Sequence, residues 1–170
     1  MRYKYCPFCG QELHEKAAGD DGKIPFCLHC NKYWFDSFES CVIVLVYNEY
    51  NEIVLCRQGY LSEQYTSFIS GYMVPGETAE ETAVREVKEE LGLEVQTLEY
   101  AGTYWFAKRE QLMHGFLAYV PKAELVFSDE IDSAEWTLAQ EVTKTLFPDT
   151  PGNAAYAIYR IYMKNKNRSA

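Results

Sequence analysis

No stretch of the sequence is apolar over the roughly 20 residues that a helix needs to cross a bilayer. The chain also reaches Cys6 without the charged and then apolar pattern of a secretion signal. Basic residues are scarce: 16 Lys and Arg stand against 25 Asp and Glu among 170 residues, a net charge of -9. This balance excludes the basic footprint of a duplex DNA-binding protein and the cationic face of a membrane-surface protein. We therefore expect a soluble, cytoplasmic protein.

Four of the six cysteines form two CxxC pairs, Cys6 with Cys9 and Cys27 with Cys30, separated by 17 residues. Two such pairs bring four thiolates around one tetrahedral zinc ion, and four protein ligands leave no open position for a substrate. The zinc would therefore be structural, and its binding would supply the folding free energy that a segment too short for a core lacks. We predict a zinc ribbon over residues 1–36 and a second domain over 37–170.

His29 and the other two cysteines are not assigned to the zinc site. His29 lies inside the second CxxC pair and is interpreted as an exposed loop residue rather than a ligand. Cys41 and Cys56 lie in apolar segments and are interpreted as small buried hydrophobic residues. Between the two cysteine pairs, residues 19–22 predict the tip of a hairpin.

Alternating strand and helix patterns fill the rest of the chain. β-Branched residues predict antiparallel strands over residues 41–46 and 53–56, joined by a turn at 48–51. Further strands are predicted over 67–70, 97–106, 112–120 and 134–138, with a loop over 71–76 and helical segments over 139–147 and from Gly152 onward. Strands mixed with segregated helices favour an α+β fold.

Residues 78–92 carry the pattern of an amphipathic helix. Thr78 and Glu81 form a capping-box pair, and Gly92 suits the position after the last turn. The apolar residues recur every four positions, at Ala79, Ala83, Val87 and Leu91. One face of this helix is therefore expected to enter the core.

Glu86, Glu89 and Glu90 share another face of the same helix. Like charges at these spacings repel one another, so we expect a cation to be bound among them. Ligands that are all oxygen indicate Mg²⁺ or Mn²⁺ rather than zinc. Residues 71–93 contain six acidic and two basic residues, a net charge of -4, and Arg85 could hold the acidic cluster in place. The alternative is an ordinary solvated helix face.

The preceding loop extends this pattern into a family motif. Gly71 is followed after five residues by Glu77, and after seven more by the run REVKEELGL from Arg85 to Leu93. This order resembles the Nudix box, GX5EX7REUXEEXGU with U aliphatic, and every fixed position is filled. The resemblance implies a Nudix α/β/α sandwich behind the small four-cysteine ribbon. It also implies hydrolysis of a nucleoside diphosphate linked to another group, with metal ions neutralising the diphosphate.

Residue by residue, the resemblance to Nudix hydrolases implies a catalytic metal site. Glu77 and Arg85 would orient the acidic cluster, and Glu130 matches an acidic residue that supplies a further metal or base contact. A solvated turn acid is the alternative for Glu130, and the identity of the general base stays open. The Mg²⁺ or Mn²⁺ ligands would be the carboxylates of Glu86, Glu89 and Glu90 with the carbonyl of Gly71.

A four-cysteine ribbon directly before a Nudix domain resembles the NADH pyrophosphatase group, which cleaves NADH or NAD⁺ into AMP and nicotinamide mononucleotide. Members of that group often carry Ser-Gln-Pro-Trp-Pro-Phe-Pro after the box, followed by a Leu-Met strand. The corresponding residues 103–113 keep an aromatic pair and Gln-Leu-Met, but neither the prolines nor the leading Ser-Gln. The retained candidates for substrate binding are Trp105, Phe106, Gln111 and Met113.

Two further substrate contacts are implied by the same resemblance. Tyr72 lies where that group places an aromatic ring over the nicotinamide, and loop packing is the alternative. Ala155 matches a backbone contact to the ligand. The resemblance also implies a homodimer, in which Trp105 and Phe106 could stack on a base, pack in the core or form the dimer interface.

The substrate class is left open by these observations. The partner is expected to be a small dinucleotide, and the rivals to NADH are ADP-ribose, diadenosine polyphosphates, FAD and NAD-capped RNA. A net charge of -9 disfavours long-range attraction to RNA, so an RNA 5′ cap has no support from charge. A nucleotide-sensing module is the non-enzymatic alternative, but sensors built on this fold commonly lose the box carboxylates, and all are present here.

Overall fold

A computed structural model describes residues 3–169 and divides the chain into two compact units between Phe38 and Glu39. The ends of the two predicted domain ranges, residues 1–2 and 170, lie outside the described residues. Across residues 3–169, no helix is both long and apolar enough to cross a membrane.

The first unit is a small antiparallel sheet of β1 (His14–Ala17), β2 (Lys23–Cys27) and β3 (Lys32–Tyr33), in that order. A 3-10 turn over Gly19–Asp21 joins β1 to β2, which confirms the predicted hairpin tip. Its apolar cluster is small and contains the buried side chains of Cys6, Leu13 and Cys27. Two of these three are cysteines, and the buried Phe26 packs separately against Tyr33, so the apolar core of this unit is small.

The second unit is a mixed sheet flanked by helices. Within the described part of the chain the sheet order is β7-β8-β4-β5-β9, with β6 paired to β4. β4 and β8 run parallel, and the other strand pairs are antiparallel. The elements are β4 (Glu39–Tyr47), β5 (Glu52–Arg57), β6 (Ile69–Tyr72), α1 (Ala79–Leu91), β7 (Thr97–Phe106), β8 (Gln111–Tyr119), β9 (Ser133–Leu138), a 3-10 turn (Ala139–Lys144) and α2 (Ala154–Ser169).

The two helices cover opposite faces of this sheet. Alternate residues of β4 point to opposite sides, so Val42 and Val44 pack with α1 while Ile43 and Leu45 pack with α2. The apolar positions of α1 expected from their four-residue spacing are buried against the first face. On the second face Ile158 and its neighbours in α2 close the core. The predicted α+β fold with its α/β/α layers is therefore confirmed.

Two local predictions differ from the structure. Residues 139–147 were expected to form a short helix, but only the 3-10 turn Ala139–Lys144 forms. The strand expected over 67–70 is β6, Ile69–Tyr72, so it includes the first two residues of the predicted loop. Pairing with β4 causes this extension, since Gly71 and Tyr72 lie opposite Val42 and Cys41. The extension matters because it places Gly71 and Tyr72 on a rigid strand.

Candidate active site

Four sulfur atoms cluster in the first unit. The Sγ atoms of Cys6, Cys9, Cys27 and Cys30 all lie within 4.8 Å of one another. Exposed His29 lies outside this group, with its Nδ1 3.8 Å from the Cys30 Sγ. A hydrogen bond with Cys9, burial and the nearby Cys27 and Cys6 raise the pKa of Cys30 to about 12. The four clustered Sγ atoms form a donor set that fits a tetrahedral metal ion.

In the second unit, α1 begins and ends as predicted. The Glu81 N–H donates to Thr78 Oγ1 at 3.2 Å, and the Thr78 N–H donates to Glu81 Oε2 at 2.8 Å, which completes the capping box. Gly92 ends the helix in the left-handed region at φ 69°, where glycine is favoured, and its N–H donates to Lys88 O. These caps fix where the acidic face of α1 lies.

Arg85 holds the acidic residues around it. Its guanidinium donates to both carboxylate oxygens of Glu77 at 2.8 and 3.0 Å, to Glu86 at 2.8 Å and to Glu89 at 2.9 Å. It also donates to the Tyr72 carbonyl at 3.1 Å. These bonds from Arg85 hold the pKa of Glu77 at about 2, below its usual range, although burial acts in the opposite direction. Glu77 and Arg85 thus pair beside the acidic cluster, and their role in orienting it for a metal stays a prediction.

Glu90 is the most isolated acid of the cluster. Only 4% of its surface is exposed, and its Oε2 has no hydrogen-bond partner among the described residues. Burial and the charges of Glu86, Glu130 and Glu89 raise the pKa of Glu90 to about 8. Burial also raises the pKa of Glu86. A buried carboxylate oxygen without a donor fits a divalent cation, whose ligands are carboxylate and carbonyl oxygens.

Gly71 is required by the close approach of β6 to this cluster. A Cβ atom at this position would lie 2.0 Å from Cδ and Oε1 of Glu86. Any other residue would displace the carboxylate, so the glycine leaves room for Glu86 beside the strand. The unpartnered Glu90 oxygen and the Glu86 carboxylate beside Gly71 together form an oxygen-rich donor set that fits a divalent cation such as Mg²⁺ or Mn²⁺.

A cavity of about 470 Å³ opens onto these carboxylates. Exposed Glu130 reaches it from the loop between β8 and β9. Glu77 lies outside the lining and meets Arg85 from its other side. Of the residues singled out in the sequence, the lining includes Gly71, Tyr72, Arg85, Glu86, Glu89, Glu90, Gln111, Met113 and Glu130.

Three predicted substrate-binding residues lie outside this lining. Trp105 and Phe106 are on β7, the last strand at one side of the sheet, and Trp105 is half-exposed there. Ala155 lies in the first turn of α2 and is buried in the apolar cluster on that face of the sheet. The structure therefore brings Tyr72, Gln111 and Met113 to the carboxylates but leaves these three elsewhere.

The sequence analysis missed several lining residues, among them Cys41, Tyr60 and Arg109. Cys41 and Cys56 are buried as predicted, and burial raises the pKa of each thiol. Cys41 nevertheless borders the cavity because it lies opposite Tyr72 in β6. Arg109 lies in the turn between β7 and β8, within the stretch compared above. Strand register brings Cys41 to the cavity, whereas Tyr60 and Arg109 reach it from a loop and a turn whose paths no local sequence pattern encodes.

Comparison with known proteins identifies relatives of this chain. Two curated relatives are named NAD-capped RNA hydrolase NudC. The one from Pseudomonas entomophila strain L48 is 29% identical over 163 residues, which cover 94% of this chain and 55% of the relative. The one from Pseudomonas aeruginosa strain LESB58 is 33% identical over 134 residues, 78% of this chain and 47% of the relative. The chain thus spans about half the length of the curated relatives it matches.

The fold also has a close structural counterpart. The crystal structure of a NUDIX hydrolase from Nitrosomonas europaea superposes with a TM-score of 0.77 at 20% identity, covering 98% of this chain and 93% of that one. At this identity the likeness establishes the fold. The NUDIX domain family model matches residues 38–158, which include the capped helix, its acidic face and the cavity. The chain therefore belongs to the NUDIX domain family.

Proposed function

We propose that this protein is a metal-dependent pyrophosphohydrolase that cleaves the diphosphate of a dinucleotide, with NADH or NAD⁺ cleaved to AMP and nicotinamide mononucleotide. The observation that carries the proposal is the buried, unpartnered Glu90 oxygen within a group of carboxylates at a cavity of about 470 Å³. Such a cavity lies within the range of small-molecule sites, roughly 300–1,000 Å³. The names of the curated relatives support an NAD-containing substrate.

The catalytic cation would be Mg²⁺ or Mn²⁺, and the ribbon cation would be zinc. Bound among the carboxylates, the catalytic cation would neutralise diphosphate charge and lower the pKa of a water molecule. Arg85 keeps the cluster in one arrangement through its bonds to Glu77, Glu86 and Glu89. The residues that would hold the catalytic cation are Glu86, Glu89, Glu90 and Glu130 with the Gly71 carbonyl.

In the proposed reaction a water oxygen forms a bond to one phosphorus and the bond from that phosphorus to the bridging oxygen breaks. The water proton passes to a carboxylate of the cavity, whose identity stays open, and then to solvent. Each phosphorus ends as a phosphate monoester. The fixed positions of the carboxylates serve to orient the attacking water.

The main alternative substrates are NAD-capped RNA, after the names of the relatives, and ADP-ribose or another nucleoside diphosphate derivative. The test is product analysis by chromatography and mass spectrometry for NADH, NAD⁺, ADP-ribose, FAD, diadenosine tetraphosphate and a NAD-capped RNA. Each is incubated with Mg²⁺, with Mn²⁺ and with chelator. We expect AMP and reduced nicotinamide mononucleotide from NADH, only when metal is present. Preference for another substrate would reassign the substrate, and no turnover of any would favour the sensing module.

The homodimer and the cytoplasmic location stay predictions. Size-exclusion chromatography with light scattering tests the dimer, since the chain mass is 19.7 kDa. A species of twice that mass supports it, and a species of 19.7 kDa contradicts it.

A further inference from the structure

Three polar side chains form a hydrogen-bonded chain at one end of the cavity. Glu39 of β4 and Gln111 of β8 are neighbours in the parallel register, and Tyr72 ends β6. The Gln111 Nε2 donates to Glu39 Oε2 at 3.0 Å and to Tyr72 Oη at 2.6 Å. Gln111 is only 4% exposed, so its amide is held away from bulk water.

The carboxylate of Glu39 fixes the polarity of this chain. An ionised carboxylate has acceptors and no donor, so the NH₂ group of Gln111, rather than its oxygen, must face Glu39. The second hydrogen of the same NH₂ group points to Tyr72. The Tyr72 oxygen therefore accepts a hydrogen bond, and its own proton is not used by Gln111. Among residues 3–169, the Tyr72 hydroxyl proton has no acceptor within hydrogen-bond distance.

Tyr72 is placed to use that proton on a ligand. It lines the cavity, as does Gln111, and half of its surface is exposed. Its backbone is fixed by the β6 register and by the bond from Arg85 to its carbonyl. Glu39, in contrast, lies outside the cavity lining and could act on a ligand only through Gln111.

We propose that Glu39 and Gln111 are positioning residues that orient the Tyr72 hydroxyl as a donor, so that the cavity selects a substrate with an acceptor oxygen at this position. Carbonyl and phosphoryl oxygens are the groups that fit. The inference rests on the proposed function, because it takes a dinucleotide as the occupant of the cavity. It gives Tyr72 a role beyond that of a flat aromatic surface, which phenylalanine would supply equally well.

The test is a double-mutant cycle on binding. Tyr72→Phe removes the donor and keeps the ring. Glu39→Met keeps the approximate size of the residue but removes the acceptor that fixes the Gln111 amide, so Gln111 can turn its oxygen toward Tyr72 and take up the hydroxyl proton. Each single variant is expected to weaken NADH binding about three- to tenfold, the effect of one neutral hydrogen bond. The double variant should bind no more than about twofold more weakly than Tyr72→Phe alone.

Binding is measured by calorimetry with NADH and Ca²⁺, with the mixture checked for products after each titration. Glu124→Gln, which removes one carboxylate from the exposed loop after β8, is the matched control and should bind NADH as the parent chain does. Normal binding by Tyr72→Phe, independent effects of the two substitutions, or an equal loss in Glu124→Gln would overturn the proposal. So would an absence of NADH binding by the parent chain.

Binding and hydrolysis measurements together distinguish the role of the hydrogen-bonded chain from the proposed reaction. Coupled losses of binding without NADH hydrolysis in Mg²⁺ would retain the hydrogen-bonded chain and remove the proposed reaction. Hydrolysis of NADH with uncoupled variants would retain the reaction and remove the role of Glu39. In Mg²⁺ kinetics the coupled effect should fall on KM with kcat changed less, whereas a general structural defect would lower both.

Discussion

Each unit of the chain brings ionisable groups of one kind together, but the two units differ in the size of the apolar core beside those groups. In the first unit four cysteine sulfur atoms meet beside a small apolar cluster that includes two of the cysteines. In the second unit the carboxylates project from α1 and a nearby loop, above two apolar clusters that bury both faces of the sheet. Removing a cation should therefore cost the first unit its fold and the second unit its chemistry.

The difference teaches that ligand number alone does not decide what a metal does. The sulfur cluster offers four ligands beside a small sheet with few buried apolar side chains, so a metal bound there would take the place of a core. The carboxylate cluster is already held by Arg85 and by the caps of α1. Because the second unit has an apolar core of its own, it can hold one carboxylate oxygen of Glu90 without a hydrogen-bond partner.

The largest expected effect comes from Cys30→Ser, which removes one ligand of the sulfur cluster. Structural zinc contributes on the order of 10 kcal/mol to the folding of small metal domains, so residues 3–38 should lose amide protection in hydrogen exchange. Residues 39–169 should stay protected. His29→Ala is the control and should keep the ribbon folded, because His29 lies outside the ligand group. Equal unfolding in both variants would contradict the four-cysteine assignment.

The next largest effect is expected on the rate of dinucleotide hydrolysis, from a substitution at Glu89. Glu89→Gln should lower dinucleotide hydrolysis by a factor on the order of 10³, since a metal ligand supports several kcal/mol of transition-state stabilisation. The Glu89 side chain is 59% exposed, so the free energy of unfolding should change by about 0.5 kcal/mol or less. Glu80→Gln, in the first turn of α1, should hydrolyse normally. Near-normal activity of Glu89→Gln would contradict the site.

A smaller effect is expected at Gly71, where one substitution should lower both the stability of the fold and the rate of hydrolysis. In Gly71→Ala the new Cβ would overlap the Glu86 carboxylate, which should cost about 1–3 kcal/mol of unfolding free energy and reduce hydrolysis. Adding Glu86→Asp shortens the side chain, so it should restore stability in urea unfolding but not hydrolysis. Full hydrolysis by Gly71→Ala would show that Glu86 is free to move.

The smallest effect is a pH dependence at Glu77. Its pKa is about 2 in the folded protein against an ordinary 4.5, because Arg85 bonds its charged form. The stability that this carboxylate contributes should therefore be complete above pH 4.5 and fade as the pH falls toward 2. In urea unfolding, the difference between the parent chain and Glu77→Gln should shrink over that range. With Glu124→Gln as the charge control, a difference that grows on acidification would contradict the role of Arg85.

Local signals predicted the parts of the molecule that depend on neighbours in sequence. The capping residues and four-residue spacing gave α1 correctly, because a helix is built from contacts between residues three and four apart. The two CxxC pairs likewise gave the sulfur cluster. The family resemblance assigned Glu77 and Arg85 to orienting the acidic cluster, and the structure adds that the two residues pair directly.

Features that depend on strand register were not predictable. Cys41 borders the cavity and Glu39 meets Gln111 because β4 pairs with both β6 and β8. These contacts join residues 31 and 72 positions apart, which no local pattern encodes. The aromatic pair at Trp105 and Phe106 was placed by similarity to a motif, but β7 carries it outside the cavity lining.

The most direct test that the second unit needs its cation for chemistry and not for folding is to dialyse the protein into metal-free buffer without chelator, then measure hydrogen exchange and dinucleotide hydrolysis on the same sample. Mg²⁺ leaves an open oxygen site readily, whereas a cation enclosed by four thiolates stays. We predict that hydrolysis stops and returns on addition of Mg²⁺, while amide protection in both units is unchanged. Continued hydrolysis without Mg²⁺, or unfolding of residues 39–169 when it is removed, would contradict the account.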